Sequence, residues 1–182
     1  MFFSTKKPHD VHIHVVKENS GEINWNLVFQ NYLRETEEAR DVYAKIKLDL
    51  IKENPDGFKM IEGLFSEYTI KKGEIIREIA RLAGFNDYRF VIATNYNEVN
   101  SYKKLMSLND IDFRNKNLFH LCLYKGVKIV AAACVEFNIS DPIASINYIN
   151  SINNEDKNML KEKINEWVTF HNLKLDKSDY SF

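Results

Sequence analysis

His12 and His14 stand two residues apart in the run Val11-His12-Ile13-His14-Val15. Side chains on a strand alternate with period two, so the two imidazoles share one face. Such a pair can relay protons or take a metal ion, and His9 could join them from the preceding loop. His-x-His matches no specific metal motif by itself. The competing reading is a hydrogen-bonded or solvent-facing pair on a strand whose other face, Val11, Ile13 and Val15, is core, and that reading is favoured. Tyr68 and Lys72 form a second pair. At i and i+4 they share a helix face, and a lysine there could meet a phosphate as a point charge. The alternative is a solvated lysine with Tyr68 covering its stem. Asp110 and Asp112 are carboxylates at i and i+2, in a stretch that reads as a surface loop. Glu136 and His120 are the remaining polar residues in strand-like runs, and a structural role is expected for each. No catalytic residue and no metal site is assigned.

The chain that must position these groups has 182 residues, enough for one domain or two small ones. Its 25 basic residues nearly balance 26 acidic ones, for a net charge of −1. The Lys-Lys pairs at Lys6, Lys71 and Lys103 each stand beside acidic or apolar residues, so a nucleic-acid partner has little electrostatic support. The longest apolar run, Ile129–Val135, is too short to span a membrane. The first ten residues lack the hydrophobic stretch and cleavage site of a signal peptide. Cys122 and Cys134 fall in expected strands and fit buried, reduced thiols, which points to a cytoplasmic protein.

Val11–Val16 is expected as a strand, and residues 17–21 as a turn. Trp25, Val28, Phe29, Tyr32 and Leu33 recur at helical spacing up to about Thr36. A second helix is expected over Ala39–Lys52, broken by Asn54-Pro55-Asp56-Gly57. A third helical stretch is expected from about Phe58 to Leu82, with Gly84 as its C-cap. The pattern then changes near Asn86-Asp87. Tyr88–Thr94 reads as a strand, Glu98–Leu108 as a helix, Leu118–Tyr124 and Val127–Phe137 as a hairpin turning at Lys125-Gly126, and Pro142 as a turn. Ile143–Ile152 alternates like a half-buried strand, Asn154–Phe170 reads as a helix, and Leu173–Leu175 as a last strand.

The stretch from His9 to Leu50 carries two alternating histidines, a Trp-led helix ending near NYLRETEEAR and a second helix opening on DVYAKIK. Together with YTIKKGEIIREIARLAGF at Tyr68–Phe85, it resembles the C-terminal half of the GrpB family, which is similar to the nucleotidyltransferase fold. The resemblance implies that His12 and His14 look into a nucleotide site. It also matches Tyr68 and Lys72 to a Tyr-x-x-x-Lys pattern, making all four nucleotide-binding candidates. Nucleotidyl transfer needs metal-bridging carboxylates, which the family carries on an acidic strand after a Gly-Ser turn. No such pair precedes Val11, so an autonomous nucleotidyltransferase is not expected.

From Tyr88 onward the order strand, helix, hairpin, strand, helix, strand, with FHLCLYKGVKIVAAACVEF at its centre, resembles the GNAT acetyltransferase fold. That fold holds the acetyl-CoA pyrophosphate on backbone amides at a helix N-terminus, through a basic, glycine-rich loop. Here the corresponding Ser151–Asn158 has no glycine and no arginine. Asn153 or Asn154 is a good N-cap, and Glu155 and Asp156 fill the first turn. The tyrosine that protonates the leaving thiolate in that fold finds no match, and Tyr180 cannot be placed.

The expected class is therefore α+β. A GrpB-like part over 1–85 has an N-terminal strand plus helices, partly nucleotidyltransferase-like. A shortened GNAT-like part over 86–182 has a mixed, mostly antiparallel sheet with flanking helices. The function expected is a non-catalytic remnant of such a fusion. The alternatives are half of a split nucleotidyltransferase-like enzyme completed by an upstream partner chain, or a weak acyl-CoA binder. ATP with magnesium or acetyl-CoA would bind only where an ancestral site survives, and self-association through the Val11 strand is the other partner reading. No nucleic-acid or membrane partner is expected.

Overall fold

The computed structural model describes residues 2–5, 11–14, 18, 20–57, 60–61, 65–111, 115–138 and 141–176, with the backbone alone at 2–5, 11–14, 60, 61, 65, 138 and 141. The first elements are two antiparallel strands, β1 (Phe2–Thr5) and β2 (Val11–His14). The sequence reading had no strand at residues 2–5. β1 pairs with one edge of β2.

Two helices follow, α1 (Gly21–Glu35) and α2 (Glu37–Glu53). The third helical stretch is shorter than expected. Residues 60–61 and 65–66 form a short antiparallel pair, β3 (Met60–Ile61) and β4 (Phe65–Ser66). Helix α3 (Glu67–Leu82) starts only where the Ser66 hydroxyl accepts a hydrogen bond from the Thr69 amide at 3.1 Å. A capped start at Ser66 overrides the apolar spacing that seemed to extend the helix backward. Gly84, at φ +72°, ends α3 as expected.

The rest of the chain builds one five-stranded sheet. Its strands are β5 (Tyr88–Ile92), β6 (Leu118–Lys125), β7 (Lys128–Asn138), β8 (Asp141–Ser151) and β9 (Lys174–Leu175), lying side by side in that order. The pairs are antiparallel except β8 with β9, which is parallel. A parallel neighbour requires a crossover, and helix α5 (Asn154–Phe170) supplies it. Helix α4 (Tyr96–Met106) connects β5 to β6. Pro142, expected in a turn, is instead the second residue of β8, beside a register irregularity in the ladder with β7, a place that tolerates a missing N–H.

The alternation of β6 and β7 sends alternate side chains to opposite faces. On one face Leu121, Leu123, Ala133 and Val135 pack with Leu160, Ile164 and Val168 of α5. On the other, Cys122, Tyr124 and Ala132 pack with Val99 and Tyr102 of α4. Trp25 of α1, Ala80 of α3 and Phe85 make a third cluster. The molecule is α+β, as the sequence indicated. Helix α1 lies directly on β5: a Cβ placed on Gly21 would stand 2.0 Å from the Tyr88 carbonyl oxygen. Among the described residues, no helix is long and apolar enough to cross a membrane.

Candidate functional site

Helix α3 presents Lys72, Gly73, Ile76 and Arg77 toward the start of α4. Gly73 permits the approach, since a Cβ there would meet the Asn97 amide nitrogen at 2.8 Å. The start of α4 is fixed by a reciprocal cap. The Asn95 side chain accepts from the Glu98 amide at 3.0 Å, and the Glu98 carboxylate accepts from the Thr94 and Asn95 amides at 3.2 and 3.4 Å. β5 adds Arg89, β6 adds its cross-strand partner Tyr124, and α1 adds Trp25. These residues enclose a cavity of about 260 Å³.

Arg89 lines this cavity and is only 8% exposed. Its guanidinium carbon lies 4.0 Å from the Trp25 ring centre and 5.2 Å from that of Tyr124. One terminal nitrogen is 3.7 Å from the Glu22 carboxylate, while Nε has no hydrogen-bond partner among the described residues. Burial pulls the Arg89 pKa down, and the charges of Glu22 and Glu98 pull it back up. Arg77 opposes them as a neighbouring like charge, and it donates to the Val127 carbonyl at 3.1 Å. Burial pushes the Glu98 carboxyl up, against the amide hydrogen bonds and the attraction of Arg89. The cavity thus gathers three cationic side chains, Lys72, Arg77 and Arg89, and one carboxylate that burial makes reluctant to ionise.

Of the residues singled out from the sequence, Lys72 lines this cavity, and its ammonium lies 5.9 Å from the Tyr68 ring centre. His12 and His14 sit on β2 opposite Ser4 and Phe2. Their side chains, together with His9, Asp112 and Tyr180, lie outside the described residues. Asp110 is fully in solvent on its loop. Glu136 is exposed and accepts from the Asn147 side chain at 2.7 Å, whereas His120 is buried edge-on against Tyr102 at 5.0 Å. Among the described residues, no three His, Cys, Asp or Glu side chains converge on a metal position. Cys122 and Cys134 are buried and unbridged. Burial pushes both thiols up, Cys134 to about 11, so neither is a ready nucleophile at neutral pH.

Arg77, Arg89 and Glu98 were not among the sequence candidates. Arg89 left a faint signal, because it shares a strand face with Val91. Its counter-charge and its aromatic neighbour stand more than sixty residues earlier, at Glu22 and Trp25.

The junction of β8 and α5 has its own geometry. Asn153 caps α5, its side-chain oxygen accepting from the Asp156 amide at 2.8 Å. The Asp156 carboxylate accepts from the Asn153 side-chain amide at 2.8 Å and from the Tyr88 hydroxyl at 2.9 Å. Asp156 is 4% exposed. The first turn of the helix is therefore occupied by the chain's own carboxylate.

Residues 1–81 match the family described as GrpB protein, which is the first 81 of 182 positions and agrees with the resemblance seen at His9–Leu50 and Tyr68–Phe85. No curated protein and no solved structure matches the chain.

Proposed function

We propose that the chain is a non-catalytic GrpB-like protein whose second part keeps a GNAT-like sheet without its acetyl-CoA cradle. Support for the GNAT-like reading comes from strand order. Four antiparallel strands lead into a helix, and the following strand returns parallel to the fourth. In that fold the pyrophosphate would rest at the N-terminus of α5. Asp156 carries the argument against it. The carboxylate is buried at that N-terminus and bound to Asn153 and Tyr88. A negative group already answers the helix dipole there. A pyrophosphate brought to the same place would meet a like charge in a poorly solvated setting. The residues present at the start of α5 do not fit acetyl-CoA.

The nucleotidyltransferase-like reading of the first part rests on the family match and on Lys72. The test is thermal unfolding of the purified chain with acetyl-CoA and, separately, with ATP and Mg²⁺, alongside an acyl-transfer assay. The proposal expects no acyl transfer and no stabilisation that depends on the start of α5. Acyl transfer, or a shift with acetyl-CoA abolished by altering Asn153 and Asp156, would overturn it. A shift with ATP and Mg²⁺ that disappears in His12→Ala or His14→Ala would instead restore a nucleotide site.

A further inference from the structure

We propose that the cavity between α3, the start of α4 and β5 binds a small phosphate monoester. Lys72 and Arg77 of α3 and Arg89 of β5 converge on it, and Glu98 is the one carboxylate in its lining. The first turn of α4 forms one wall, its end amides already capped by Asn95 and Glu98, so the cationic side chains supply the positive field. Arg89 gives the second, independent observation. Its side chain is 9% exposed, yet Nε donates to nothing among the described residues. An orphaned buried donor is costly unless something completes it. The guanidinium is held between Trp25 and Tyr124, so its orientation is set before a ligand arrives, and little ordering entropy remains to be lost.

Guanidinium groups and an ammonium suit a phosphate in particular, because its oxygens can accept from several donors at once. The organic part of the ligand follows from the remaining walls. Trp25, Ile70, Ile76 and Tyr124 are apolar or aromatic. The volume of about 260 Å³ lies below the ~300–1,000 Å³ usual for drug-sized ligands, so a compact ester fits better than a dinucleotide.

The test titrates glycerol phosphate and inorganic phosphate into the full chain at constant ionic strength, read by calorimetry and thermal unfolding. Lys72→Ala and Arg77→Gln are the variants. Saturable binding of glycerol phosphate, tighter than inorganic phosphate and weakened roughly tenfold or more by either variant, is expected. Lys72 makes no structural hydrogen bond in the described set, so Lys72→Ala decides the matter if Arg77→Gln unfolds. Absence of saturable binding would overturn the proposal, as would equal binding by wild type and Lys72→Ala. Glycerol phosphate binding no tighter than inorganic phosphate would overturn the assignment to an ester.

Discussion

The guanidinium of Arg89 lies 4.0 Å from the centre of the Trp25 ring, and this contact ties α1 to the sheet. A cation over an aromatic face is worth more when water is excluded, and both residues are under 10% exposed. A double-mutant cycle with Trp25→Leu and Arg89→Met should give a coupling of about 1–2 kcal/mol in urea unfolding. Coupling below about 0.3 kcal/mol would show that α1 is held by apolar packing alone.

Gly21→Ala should destabilise. At an ordinary helix start, with no left-handed backbone requirement, such a change gains about 0.4–1 kcal/mol through the unfolded state. Here the added methyl would stand 2.0 Å from the Tyr88 carbonyl oxygen, and a backbone atom in a paired strand cannot easily move. The expected loss is about 1–3 kcal/mol by denaturant melt, and a gain would mean that α1 and β5 are not in this contact.

Asn153→Ala should cost about 1 kcal/mol as a lost N-cap. Asp156→Ala should cost more, about 2–3 kcal/mol, because the Tyr88 hydroxyl and the Asn153 amide both lose a charged acceptor. Equal and small effects in chemical denaturation would place the Asp156 carboxylate in solvent rather than at the buried junction.

Glu98 predicts a pH dependence. Burial raises its folded-state pKa above the unfolded value, so the folded state holds this proton more tightly. Its contribution is fully present below the unfolded carboxylate pKa and is lost as pH rises through the raised folded value. Glu98→Gln keeps an acceptor for the cap but carries no charge to desolvate. Relative to wild type, Glu98→Gln should therefore gain stability between pH 4 and pH 7 in urea melts across that range. A stability difference flat with pH would contradict the raised pKa.

Both thiols should be silent to an aromatic disulfide reagent at neutral pH in the native protein and react fully once it is unfolded. Cys122 is 0% and Cys134 2% exposed, and Cys134 is pushed to about 11. Rapid reaction of either in native buffer would show that the face under α4 opens.

The second part of the fold was largely legible in the sequence. The β6–β7 hairpin is announced by apolar runs on either side of Gly126, whose φ of +59° suits the turn, and α5 by its Asn153 cap and its Leu160, Ile164, Val168 stripe. Short paired segments were not legible. β1, β3 and β4 have four residues or fewer, too few for alternation to register. The cation-lined cavity was legible only at Lys72. It is assembled from α1, α3, α4, β5 and β6, and such long-range convergence has no local pattern. The filled N-terminus of α5 was read correctly in kind, since Asn153, Glu155 and Asp156 are consecutive enough to show it. The tie from Asp156 to Tyr88, across 68 positions, was not.

The most direct test of the central claim is thermal unfolding with acetyl-CoA in the Lys72→Ala background, where the cation-lined cavity is weakened. A ligand at ~100 times its dissociation constant would stabilise the protein by about 2.7 kcal/mol. The account predicts an unchanged midpoint, because Asp156 already occupies the start of α5. A saturable rise in midpoint, lost when Asn153 and Asp156 are replaced, would mean that this helix start does bind the cofactor and that the proposed function is wrong.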